Sequence, residues 1–128
     1  MNLSYIRQSA KSFEETVASV EQASVNNGFR VLHTHNVQQT LKEKGFDIPS
    51  YRIVEVCNAK FAFQVLTTDK SVGMMLPCRI VVYEENGKNI VMLMNPTLIS
   101  ELMPGIDLGT IPQEVETVLK KVVDEAVV

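Results

Sequence analysis

The sequence predicts an α/β (α+β) domain, a mixed sheet of about five strands with helices packed mainly on one face. Three observations predict it. Short β-branched runs alternate with segments whose apolar residues recur every three or four positions, the periods of strand and helix. Two helix starts carry a capping pattern, a short polar residue with Glu or Gln three positions on. An Asn-Gly pair lies between two apolar runs, the sign of a tight hairpin. The 128 residues hold no repeat, linker or charge block, so residues 1–128 read as one domain.

The elements follow in order. Residues 2–6 (NLSYI) form a short strand with Leu3 and Tyr5 on one face. Ser12-Phe13-Glu14-Glu15 is a capping box that opens a helix over 13–27, with Phe13, Val17 and Val20 on one stripe. Gly28 stops it. Phe29 to Thr34 is a strand. Asn36-Val37-Gln38-Gln39 opens a short helix that Gly45 closes, and Pro49 marks a turn. Tyr51 to Cys57 is a third strand, apolar apart from Arg52 and Glu55. Asn58 caps a helix over 59–69 with Ala62, Val65 and Leu66 on one side, and a loop with Gly73 and Pro77 follows. Arg79–Glu84 and Asn89–Met94 are the hairpin strands. A type I′ turn at Asn86-Gly87 sets Glu85 opposite Lys88, Tyr83 opposite Ile90 and Val81 opposite Met92. Pro112 opens the last helix, with Val115, Val118, Leu119, Val122, Val123 and Ala126 on one face. The order is β-α-β-α-β-α-β-β-α. Strands joined through helices are expected to run parallel by right-handed crossovers.

Both faces of the hairpin are apolar: Ile80, Val82, Val91 and Leu93 on one, Val81, Tyr83, Ile90, Met92 and Met94 on the other. Either helices cover both faces, or helices cover one and a second copy covers the other. The expectation is a homodimer whose interface includes part of the sheet or its edge.

Composition removes several function classes. Apolar residues make up 45% of the chain, so it buries a core. Twelve basic against fifteen acidic residues give a net charge of −3, with no basic stripe for nucleic acid. No apolar run is long enough for a membrane helix, and the N-terminus has no signal-peptide pattern. Two cysteines do not make a disulfide framework, so a cytoplasmic thiol protein is expected. Phosphate loops, dinucleotide fingerprints, zinc-protease motifs and nucleophile elbows are all absent from the sequence. Nothing in it names a cofactor.

Two groups of residues carry chemistry. His33 and His35 sit two apart on a strand, on one side, where two imidazoles suit one metal ion; the plainer reading is a strand end with a satisfied histidine. Cys57 ends the third strand and Cys78 begins the fourth. With a parallel crossover between them the thiols would lie roughly 20 Å apart, too far for a disulfide. That topology also gathers His33, His35, Asn36, Cys57 and Asn58 at one sheet edge, where ligands of parallel sheets bind. Asn36 and Asn58 open helices whose free amides attract anions, and a cysteine at a helix start is open to thiolate chemistry. Their plainer role is as helix caps.

Several stretches together resemble the domain-of-unknown-function family 302. They are Ser12-Phe13-Glu14-Glu15, Gly28 to Leu32, Tyr51 to Asn58 and Asn95-Pro96. The most specific is Leu76-Pro77-Cys78-Arg79-Ile80-Val81-Val82-Tyr83-Glu84. The resemblance covers nearly the whole chain. Where the family usually has Pro after Cys-Asn, this chain has Ala59, and both residues suit a first helical position. The resemblance implies a compact single-domain α/β sandwich that often self-associates, and it implies no catalytic role. It marks Cys57, Asn58, Pro77 and Cys78 as the candidate ligand or thiol site. The first functional reading is a non-enzymatic module that binds a small-molecule or anionic ligand, or a protein partner, and acts as a cytoplasmic homodimer. The second is a thiol-dependent redox or sulfur-handling enzyme using Cys57. The third is a metal-binding module using His33 and His35.

Overall fold

A computed structural model describes residues 2–128. Its elements are β1 (Ser4–Ser9), α1 (Phe13–Asn26), β2 (Arg30–Asn36), α2 (Val37–Lys42), β3 (Tyr51–Cys57) and α3 (Ala59–Thr68). A 3₁₀ turn (Lys70–Met75), β4 (Cys78–Glu85), β5 (Lys88–Met94), α4 (Leu98–Leu102) and α5 (Ile111–Val127) complete the chain. The α+β class, the five strands and the local starts stand as expected. Ser12 Oγ accepts from the Glu15 amide at 3.2 Å, and Asn36 Oδ1 accepts from the Gln39 amide at 3.0 Å. Asn86 and Gly87 take positive φ (52° and 76°), and the hairpin pairs Tyr83 with Ile90, Val81 with Met92 and Glu85 with Lys88. Helix α4 was not foreseen; it has five residues, too few to display a period.

Strand direction is the correction. The sheet order is β1-β5-β4-β3-β2, and all four neighbouring pairs are antiparallel. The physical reason lies in the lengths of the connecting helices. The six residues of α2 span about 9 Å at 1.5 Å per residue, well short of a seven-residue strand of about 23 Å. The chain therefore starts β3 near where β2 ends. Helix α3 leaves the end of β3, the 3₁₀ turn folds back against it, and β4 begins beside the end of β3. Only α1 crosses the sheet, from β1 at one edge to β2 at the other.

Helices α1 and α5 pack on each other and on one face of this sheet. The residues facing them, Val54, Val56, Ile80, Val82, Val91 and Leu93, are each 0% exposed. Residues on the other face remain partly or largely exposed, Ile6 at 51% and Met94 at 43%. The one-sided helix layer is as expected. A smaller apolar cluster of Val65, Val72, Ile99 and Leu108 lies under α3 and the 3₁₀ turn, and Ile111 packs against both clusters. No helix among the described residues is long and apolar enough to cross a membrane.

Leu119 is fully buried at the centre of the helix layer. Leu119→Ala should lower unfolding free energy by about 2–5 kcal/mol in urea titrations. A loss below about 1 kcal/mol would mean that α5 is not seated on the sheet.

Candidate functional site

The return of the chain from β3 through α3 to β4 brings the candidate residues together. Val56 pairs with Cys78 across the β3–β4 ladder, so Cys57 and Cys78 are diagonal neighbours rather than residues of opposite edges. The expected separation of roughly 20 Å by strand rise is overturned. It rested on a crossover that the chain does not make. Cys57, Asn58, Pro77 and Cys78 all line one cavity of about 40 Å³. Its other walls are apolar: Phe29 and Phe61, whose rings lie 6.3 Å apart, Val65 and Leu76 beside them, and Ile99 and Ile111 from the C-terminal part.

Each of the four residues has a distinct place. Asn58 Oδ1 accepts from the Phe61 amide at 3.1 Å, and its Nδ2 donates to the Gly28 carbonyl at 3.0 Å. The cap thus also fastens the start of α3 to the α1–β2 turn, where Gly28 has φ +81°. Pro77 follows a cis peptide and delivers the chain into β4. Both cysteines are free and partly buried. Burial pushes the Cys78 thiol from 9.0 up to about 11; negative charge on nearby Cys57 would push it the same way, and Arg79 opposes both.

The histidines occupy a different place. His33 pairs with Glu55 and His35 with Ile53, while Asn36 pairs with Arg52 and Arg30 with Cys57. Antiparallel pairing therefore puts His35 and Asn36 toward the end of β3 opposite from Cys57 and Asn58, and the single edge of five residues does not form. The two imidazoles do share a side, with ring centroids 4.4 Å apart. His35 Nε2 lies 2.6 Å from Glu55 Oε1, and Arg79 Nε lies 3.6 Å from Glu55 Oε2. The His35 hydrogen bond holds the Glu55 carboxyl below its usual range, against the opposing effect of burial, with Arg79 assisting. Among the described residues no group of three or more His, Cys, Asp or Glu side chains is arranged to hold a metal ion.

Sequence reasoning found the four polar and turn residues of the cavity but not its walls. Phe29 read only as the start of a strand, and Phe61, Ile99 and Ile111 carried no signal of their own, because a cavity wall and a packed core use the same residue types. Glu55 and Arg79 carried a signal, as charges on otherwise apolar strands, but their meeting depends on the antiparallel β3–β4 pairing.

The family described as domain of unknown function DUF302 matches residues 5–126, and the chain belongs to it. The crystal structure of an uncharacterized conserved DUF302 protein from Bacillus stearothermophilus is similar throughout. It has a TM-score of 0.91 and 32% identity, over 98% of this chain and 99% of that one. No curated protein matches the chain.

The raised Cys78 thiol predicts an alkaline stability loss. The unfolded thiol ionises near 9.0 and the folded one near 11, so the neutral folded form contributes fully below pH 9. That contribution is lost as pH rises to about 11, and amounts to roughly 2–3 kcal/mol at 1.36 kcal/mol per pH unit. The stability of the wild type should therefore fall more steeply between these pH values than that of Cys78→Ala, by urea titration at each pH. Parallel curves would contradict the raised value.

Proposed function

We propose that this DUF302 protein is a non-enzymatic, single-domain binding module. It acts in the cytoplasm as a homodimer and takes a small neutral apolar molecule into the cavity beside Cys57 and Cys78. The cavity carries the reading: the motif residues Cys57, Asn58, Pro77 and Cys78 meet there and nowhere else, among almost wholly apolar walls. The oxygen of Asn58 and one of its two amide N–H groups are occupied by the backbone. An anion entering would lose its hydration and find no more than one remaining Asn58 N–H among apolar walls, which favours a neutral ligand over a charged one. Apolar cavities of this kind stay dry and accept apolar guests.

The homodimer is supported by the sheet face away from α1 and α5. Ile6, Ile90, Met92, Val81 and Ile53 lie on it, with the stacked rings of Tyr51 and Tyr83, whose centroids are 5.8 Å apart. A two-fold pairing would place this patch against itself. The Glu55–Arg79 pair toward the cavity end of the strands leaves the apolar centre free for contact.

Xenon under pressure should shift the amide resonances of Cys57, Phe61 and Cys78 in the folded protein. Ala62→Leu, which fills the cavity from α3, should remove most of the shift while leaving the chain folded. Equal shifts in the variant, or none in the wild type, would sink the cavity reading.

Native mass spectrometry and sedimentation at micromolar concentration should give twice the chain mass. Met92→Lys, a charge at the middle of the open face, should shift it to one chain. A monomeric wild type would refute the dimer and leave the cavity reading standing.

A further inference from the structure

We propose that Cys57 and Cys78 are a redox pair, joined into a reversible intramolecular disulfide by exchange with a small low-molecular-weight disulfide, and that the bond closes the cavity between them. Three observations carry this. The chain has two cysteines, and both line the same cavity. They are on adjacent strands, offset by one residue, because Val56 is the partner of Cys78. With strands about 4.8 Å apart and a rise of about 3.4 Å per residue, such a diagonal pair has Cα atoms about 6 Å apart, inside the range of disulfides. Cys57 is also the last residue of β3, where the chain leaves the sheet for α3, and its side chain shares the cavity with Cys78 although the two differ by one ladder position. In mid-strand the same diagonal would turn the two side chains to opposite faces.

The thiols divide the work. Cys78 packs against the main core and holds its proton to about pH 11, so it is a poor attacking group at neutral pH. Cys57 is the entry point. Its thiolate attacks one sulfur of the small disulfide, a new S–S bond forms, and the old one breaks to release one thiolate. Cys78 then attacks the Cys57 sulfur, the mixed bond breaks, and the second small thiolate leaves with the Cys78 proton. Two protein thiols are oxidised, one small disulfide is reduced to two thiols, and no other reactant is needed. A reducing cytoplasm would hold the pair open, and an oxidising excursion would close it.

The bond stands apart from the ligand reading; only its effect on the cavity rests on that reading. The test uses the folded wild-type chain and bis(2-hydroxyethyl) disulfide, with acid quenching and tryptic mapping. Cleavage after Arg52, Lys60, Lys70 and Arg79 leaves Cys57 in peptide 53–60 and Cys78 in peptide 71–79. The expected result is these two peptides linked to each other, with the link removed by reductant. Cys78→Ala should stop at a mixed disulfide on Cys57, and Cys57→Ala should leave Cys78 unmodified over the same time. Small-molecule adducts without the linked peptide, in the folded wild type, would overturn the pair. The linked protein should also lose the xenon response at Phe61 and regain it on reduction. A linked protein that still takes xenon would overturn the closure. A reduced protein that never responds to xenon would count against the binding module, with the linked peptide still deciding the redox pair.

Discussion

The structure depends on burying one face of a five-stranded sheet. Val54, Val56, Ile80, Val82, Val91 and Leu93 are closed off from water by α1 and α5, and each such side chain contributes about 1.5–3 kcal/mol by leaving water. Strand period then sets what every other residue can do. A residue one position away is turned to the opposite face and cannot join that core. Glu55 lies between Val54 and Val56, and Arg79 lies beside Ile80, so the same alternation that builds the core puts this ion pair on the open side. The hydrophobic layer and the polar cluster are two results of one register.

The second constraint is length. Helices α2 and α3 are too short to carry the chain back along a strand, so each of these connections ends near the point where it began. For α3 the consequence is chemical. The chain goes out along α3, turns through Lys70–Met75 and comes back through Pro77, and α3 with Leu76 and Pro77 lines one side of the cavity. Its packing residues, Val65 and Val72, form a separate cluster with Ile99 and Leu108. The cavity lies where that cluster meets the sheet core, and Ile111 touches both. Two cores that must accommodate a turn between them are harder to fill than one continuous layer.

Much of this was legible in the residues. Asn86-Gly87 determined the hairpin and its register because φ must be positive at both positions, and only a few residue types accept that. Ser12, Asn36 and Asn58 marked helix starts because a capping side chain acts on amides two or three residues away, a wholly local interaction. The direction of pairing was not legible. A β-strand has the same period whether its neighbour runs parallel or antiparallel, and the runs Phe29–Thr34 and Tyr51–Cys57 carry no local mark of their partners. The four cavity residues were identified by their motif, yet their meeting was missed. Cys57 and Cys78 are separated by a helix and a turn, and their distance follows entirely from pairing direction. Helix α4 and the walls from Ile99 and Ile111 were hidden for a related reason, since short segments and cavity walls have no pattern of their own.

One residue joins these arguments. Asn58 follows the last position of β3, caps α3 through Oδ1 and holds the Gly28 carbonyl through Nδ2. A side chain with one acceptor and two donors can serve both partners at once, whereas Asp could not donate and Ser could not reach as far. It therefore fixes where the chain leaves the sheet, and with it the position of Cys57 against the cavity. Gly28 is part of the same device, since its positive φ, which other residues rarely adopt, turns the chain into β2. The Cys-Asn pair thus has a division of labour that its sequence alone does not disclose. The asparagine is held by two backbone hydrogen bonds and sets geometry, and the free thiol beside it is the member of the pair that can do covalent chemistry in the cavity.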